Sequence, residues 1–142
     1  MIVVDTNLFI RYLIGVVVPT DAPLVVAANG LFDAVLDGRE QIATNDAVIA
    51  EVVFILHGPR HYGLPRAEVS QQLLAILSHP GCQIKEKERV LRAFPLWVER
   101  PRLSFVDALT AAQALWTKHP LATFDEALAE LPGLVPWRPD PH

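Results

Sequence analysis

Apolar residues fall in short blocks divided by turn signals, and the spacing within each block shows what it forms. Ile2-Val3-Val4 is a β-branched run stopped by Asp5-Thr6-Asn7; it reads as a buried central strand delivering a carboxylate at its C-terminal end. Leu8 to Ile14 is a short helix closed by Gly15. The stretch from Gly15 to Pro23 is a loop leading into a helix with Pro23 in its first turn. That helix carries Leu24, Ala28, Leu31, Phe32 and Val35 at helical spacing and ends at Asp37-Gly38. Gln41-Ile42-Ala43 is a second strand. Thr44, Asn45 or Asp46 then caps a helix through Leu56 in which Glu51 is the ionisable residue among Ala, Val, Ile, Phe and Leu.

Further on, Pro65 opens a helix from Arg66 to Ser78 with Val69, Leu73, Ile76 and Leu77 as its apolar stripe, and Cys82-Gln83-Ile84 is a third short strand. The alternating charges of Lys85 to Arg89 start a solvated helix that continues through Val90, Leu91 and Phe94 until Pro95 breaks or kinks it, with a further turn at Leu96 to Val98. Ser104-Phe-Val-Asp107 has the form of a capping box and opens a helix to about Lys118. Leu121 to Thr123 is a strand, Thr123 to Glu126 a second possible capping box, and Leu134-Val135 an edge strand before a proline-rich tail from Trp137 to His142. Strands alternating with helices predict an α/β fold: a three-layer α/β/α sandwich around a parallel sheet of about five strands.

Length and composition narrow this picture. A chain of 142 residues fits one domain with one substantial core. No apolar run approaches the ~18 residues of a membrane span and no basic leader precedes one, so no membrane role and a cytoplasmic location are expected. Cys82 is the single cysteine and reads as a small core residue. The net charge of −4 argues against a protein that holds nucleic acid mainly by a broad basic surface, but not against a nuclease whose acids bind cations.

Candidate chemistry therefore rests on the acids. Asp5 could simply cap the first helix. Glu51 lies in a helix apolar all round, which reads as buried, and a buried carboxylate must be paired, ligated or neutralised. Asp107 has its capping box, though Asp is a shorter and poorer partner than Glu at that position, and Asp125 suits a helix N-terminus. These separate explanations do not predict that all four acids should share one end of the sheet. Asp5 and Asp125 follow strands, where such sheets bind ligands, and Glu51 and Asp107 sit in early helical turns that can face the same edge. Four converging carboxylates need cations to stay ionised; oxygen-only ligands suit Mg²⁺ or Mn²⁺, and such a site suits phosphodiester hydrolysis. His57 and His61 have a zinc-like spacing interrupted by Gly58 and Pro59 and read as loop histidines. Arg11 could touch phosphate, although a solvated arginine is the commoner case.

Asp5-Thr6-Asn7, Glu51 in its apolar helix, Ser104-Phe-Val-Asp107-Ala-Leu and Ala122-Thr-Phe-Asp125 together resemble the PIN domain family, over essentially the whole chain. The order and size are similar to the VapC-type ribonuclease toxins of toxin–antitoxin pairs. The resemblance implies a five-stranded parallel sheet and metal-dependent endoribonuclease activity on RNA. It also implies a homodimer and inhibition by a small antitoxin whose tail occupies the active-site groove. Asp5, Glu51, Asp107 and Asp125 would then be the catalytic, metal-binding acids, with Thr6 and, less directly, Asn7 beside them. Two other classes compete. A non-catalytic PIN-like module would use the same scaffold to hold a protein. A receiver-like or phosphatase-like module would phosphorylate Asp5, but it fits poorly: no second acid stands two residues on, and no lysine ends the late strand.

Overall fold

The structure is a computed structural model and describes residues 1–141; His142, the end of the tail, lies outside them. The chain forms two compact units, Met1–Lys87 and Glu88–His142. The first contains β1 (Ile2–Val3), α1 (Thr6–Ile14), a 3₁₀ turn (Pro19–Asp21), α2 (Ala22–Leu36), β2 (Ile42–Thr44), α3 (Asp46–His57), α4 (Arg66–Leu77) and β3 (Cys82–Ile84). Helix α5 (Lys87–Glu99) begins at the boundary, and α6 (Phe105–Thr117) and α7 (Glu126–Ala129) follow in the second unit.

In the first unit the three strands are parallel in the order β1-β2-β3, with Ile2 opposite Ile42 and Ala43 opposite Gln83. Parallel neighbours need long crossovers, which α1 with α2 and α3 with α4 provide. Strand β1 is therefore an edge of this sheet and not its centre. Val3 is 80% exposed, and only Val4 behind it is buried. A β-branched run specifies an extended backbone but not how many neighbours pair with it. Helices α1 and α2 pack through aromatic rings: Phe32, fully buried, lies with its centroid 5.2 Å from Phe9 and 4.6 Å from Tyr12.

Between α1 and α2 the exposed Val16-Val17-Val18 segment is held by Asp21. Its carboxylate accepts from the N–H of Val18 at 3.1 Å and of Val17 at 3.4 Å, and pairs with Arg11 Nη1 at 2.8 Å. The Val18 N–H lowers the Asp21 pKa most; burial opposes it, and the Val17 N–H and Arg11 lower it further. A depressed carboxyl pKa contributes stability above its unfolded value, about 3.9, and loses it as pH falls through the folded value. Asp21→Ala is therefore expected to destabilise the chain at pH 6 and to make progressively less difference below about pH 4. Urea melts of both proteins across that range check this; a constant difference would contradict it.

Cys82 is buried, and burial raises its thiol pKa while Lys87 opposes the shift. Lys87 itself is not solvated as the charge pattern suggests. Its Nζ donates to the carbonyls of His79 at 2.8 Å and Cys82 at 2.7 Å, tying the start of α5 to the turn before β3.

The second unit packs Leu103, Ala111, Leu128 and Leu131 together, and Phe105 meets Phe94 at 4.8 Å and Trp97 at 5.8 Å between ring centroids. Helix α5 runs unbroken through Pro95. The proline is exposed and forfeits one backbone hydrogen bond, while Phe94 and Trp97 on either side are buried, and that burial holds the helix together. The expected fourth and fifth strands are reduced to one parallel bridge between Leu121 and Pro136. Leu121 N–H donates to Val135 O at 2.8 Å and Trp137 N–H to Leu121 O at 2.9 Å. Among the described residues the pairing does not extend beyond this one bridge. The sheet of the described chain thus has three strands where five were expected. No described helix is long and apolar enough to cross a membrane.

Candidate functional site

In the first unit, Asp5 follows the end of β1 and occupies the N-cap position of α1, but its side chain makes no capping hydrogen bond. The backbone alone enters the helix there, at φ −97° and ψ −177°. Thr6, the first residue of α1, is buried and donates from Oγ1 to Glu51 Oε2 at 2.9 Å, across 45 residues of sequence. Asn7 is exposed beside it.

Glu51 is exposed, contrary to the expectation from its apolar helix. Helix α3 buries Ile49, Val52, Val53 and Leu56 and leaves Ala47, Glu51 and Phe54 to solvent, with Phe54 66% exposed. Hydrophobic residues all round a helix do not bury it where no element packs on one side. Thr6 therefore orients this carboxylate and does not rescue it from burial.

In the second unit, the Ser104 capping box forms in full: Ser104 N–H donates to Asp107 Oδ2 and Asp107 N–H to Ser104 Oγ, both at 3.1 Å. The shorter acid reaches after all, so one Asp107 oxygen is committed to the helix end. Asp125 is the N-cap of α7, and its Oδ1 accepts from Ala127 N–H at 2.8 Å and Leu128 N–H at 3.2 Å. Thr123 Oγ1 accepts from Asp125 N–H at 3.0 Å, so the helix begins two residues later than a box on Thr123 would place it.

The two histidines have separate jobs. His57 ends α3 with Nδ1 2.8 Å from Leu64 O, and His61 stands in the following turn with its ring edge-on to Phe54. Thr44 stands in the sequence only as one of three candidate caps of α3, a place that Asn45 takes. It ends β2, the middle strand of the sheet, and its hydroxyl is buried without a hydrogen-bond partner. A threonine at a strand's C-terminal end, where parallel sheets bind ligands, is the signal that could have marked it.

Carboxylate oxygens are the ligands a hard divalent cation prefers. All four acids supply oxygen, and each keeps at least one carboxylate oxygen outside the hydrogen bonds described above: both in Asp5, Oε1 in Glu51, Oδ1 in Asp107 and Oδ2 in Asp125. Among the described residues, no three His, Cys, Asp or Glu side chains are grouped as a ready-made metal site. The structure brings Thr6 to Glu51 and Ser104 to Asp107.

The PIN domain family matches residues 2–134, a span that takes in all four acids. No curated protein matches the chain. PIN domains are nuclease folds, typically metal-dependent, and PIN nucleases act on RNA. With a match over nearly its whole length, the chain belongs to the PIN domain family.

Proposed function

We propose that the chain is a Mg²⁺- or Mn²⁺-dependent endoribonuclease of the VapC type, hydrolysing RNA phosphodiester bonds as the toxin of a type II toxin–antitoxin pair. In this reading both units form one PIN-like domain, and Asp5, Glu51, Asp107 and Asp125 bind the metal. Thr6 and Asn7 support them. A homodimer, a small antitoxin and a cytoplasmic location complete the proposal on the strength of the VapC resemblance. A neighbouring reading frame encoding a small DNA-binding protein is the genomic setting it expects.

The observation that carries the reading is the Thr6–Glu51 hydrogen bond next to a strand-end Asp5 whose carboxylate has no hydrogen bond of its own. A cap would spend Asp5 on backbone N–H groups, and a structural ion pair would give it a cation from the chain. A ligand role leaves both its oxygens available. When bound, a divalent cation supplies the charge that activates water and stabilises the departing oxygen of a phosphodiester. The residues of the chain do the positioning. Thr6 fixes Oε2 of Glu51, the Ser104 N–H fixes Oδ2 of Asp107, and the first N–H groups of α7 fix Oδ1 of Asp125.

Thr6→Val keeps the side-chain shape and deletes the donor. It is expected to lower Mn²⁺ affinity and RNA cleavage by about 10–100-fold, the usual cost of losing a group that orients a metal ligand. Thr6→Ser should restore most of both, because the hydroxyl returns. Calorimetric Mn²⁺ titration beside a cleavage assay measures the effect; a valine variant equal to the parent in both would remove Thr6 from the site.

A further inference from the structure

A cavity of about 370 Å³ opens in the first unit, lined by Asn7, Ile10 and Arg11 of α1, Ile55 of α3, and His61 and Tyr62 of the turn after α3. Its size falls within the roughly 300–1,000 Å³ common for ligand clefts. It adjoins the acid pair by construction. Asn7 is the residue after Thr6, and Ile55 lies one helical turn beyond Glu51 on the same side of α3.

The wall formed by the turn is held in place. Leu64 N–H returns to Leu56 O at 2.8 Å, and the N–H groups of His61 and Gly63 both reach Gly58 O at 3.0 Å. Gly58 permits this tight fold, since a Cβ there would lie 2.7 Å from Phe54 O. The turn presents aromatic surface: Tyr62 is exposed, and His61 stands edge-on to the exposed Phe54 at 5.7 Å. Two exposed rings, His61 and Tyr62, line this polar cleft, with the exposed Phe54 against His61, and they suit a ligand with flat apolar faces. The opposite wall carries a cation. Arg11 is anchored through Nη1 on Asp21, and its remaining N–H groups have no described partner.

We propose that this cavity is a single-stranded RNA subsite, taking one base against Tyr62 and the adjoining phosphate on Arg11, with the Asn7 amide at the base edge. The proposal rests on the nuclease reading for its ligand. Stacking on aromatic rings is how unpaired bases are held, and it needs no broad basic surface. That suits a chain with a net charge of −4, in which one anchored arginine beside two rings can do what a basic patch does elsewhere. A paired base in a duplex offers no free face to such a cleft, so the site selects unpaired nucleotides.

The test is fluorescence anisotropy with a labelled mixed-sequence RNA hexamer in Mg²⁺, using the full chain carrying Asp5→Asn so that the RNA stays intact. Added to that background, Tyr62→Ala is expected to weaken binding roughly tenfold and Tyr62→Phe to leave it unchanged, because the ring stacks and the hydroxyl does not. Arg11→Gln is expected to reduce the slope of log affinity against log salt by about 0.7, the value for one phosphate on a single strand. Equal affinity for the parent and Tyr62→Ala overturns the subsite, as does the absence of hexamer binding. A change of oligomeric state in Tyr62→Ala with RNA affinity retained would make the face a protein interface and also overturns it. Failure of the nuclease reading is separate: it shows as RNA cleavage that Asp5→Asn leaves untouched, whatever Tyr62 does to binding.

Discussion

Asp5→Asn is expected to reduce Mg²⁺- or Mn²⁺-dependent RNA cleavage more than a hundredfold, beyond the 10–100-fold range typical of residues that only orient a metal ligand. The substitution is nearly isosteric and removes one negative charge. It costs the fold little, because the Asp5 carboxylate makes no capping hydrogen bond, and the residue is exposed. Stability should stay within about 0.5 kcal/mol of the parent, as for surface changes away from special features. Asp125 is a less clean probe. Its Oδ1 caps α7 through two N–H groups, so Asp125→Ala should also cost about 0.5–2 kcal/mol of stability. Cleavage and thermal melting of the same Asp5→Asn preparation separate chemistry from folding. A variant that still cleaves would take Asp5 out of the site, and one that melts far lower would make its role structural.

Phe32→Ala is expected to be the most destabilising single change in the first unit, at about 3–5 kcal/mol. Phe32 is fully buried, and its ring meets both Phe9 and Tyr12 of α1, so truncation opens a cavity under the helix that begins with Thr6. Against a total stability of about 5–15 kcal/mol this is a large fraction. It should also loosen α1 and with it the Thr6–Glu51 hydrogen bond, so cleavage is expected to fall at temperatures below the main melting transition. Denaturant melts give the first quantity, and the temperature profile of cleavage gives the second. A loss under 1 kcal/mol would mean that α1 is not held by this ring cluster.

The contrast between these two positions shows what the sequence made legible. Helices α2, α3, α4 and α6 follow apolar periodicity and turn chemistry closely: Pro23 stands in the first turn of α2, Asn45 caps α3 by accepting from Val48 N–H, and Ser104 caps α6. The position of β1 was not legible, because Ile2 and Val3 specify a strand without saying which strands flank it. The last two strands come down to the single Leu121–Pro136 bridge, because how far two segments pair depends on the neighbours each finds. Local propensity alone did not contain it.

At the site, residue types were legible and their contacts were not. Asp5, Glu51, Asp107 and Asp125 stand out as acids after strands or in early helical turns, yet nothing local joins Thr6 to Glu51 across 45 positions. The exposure of Glu51 is not legible from composition, because α3 is apolar on a face that solvent reaches, where Phe54 is also exposed. Thr44 is legible only as a candidate cap, because nothing local shows that its hydroxyl is buried at the strand end. Arg11 could be classed only as a solvated or phosphate-contacting residue, until its ion pair with Asp21 and its place in the wall of the cleft were visible.

The central claim is that this PIN domain cuts RNA with a divalent cation held by its acids. The most direct measurement follows fragments of a mixed-sequence RNA incubated with the purified chain in Mg²⁺, in Mn²⁺, and in EDTA with metal then restored. The account predicts cleavage with either ion, none in EDTA, and recovery when the metal returns. Cleavage that persists in EDTA, or no cleavage under any of these conditions, would contradict it.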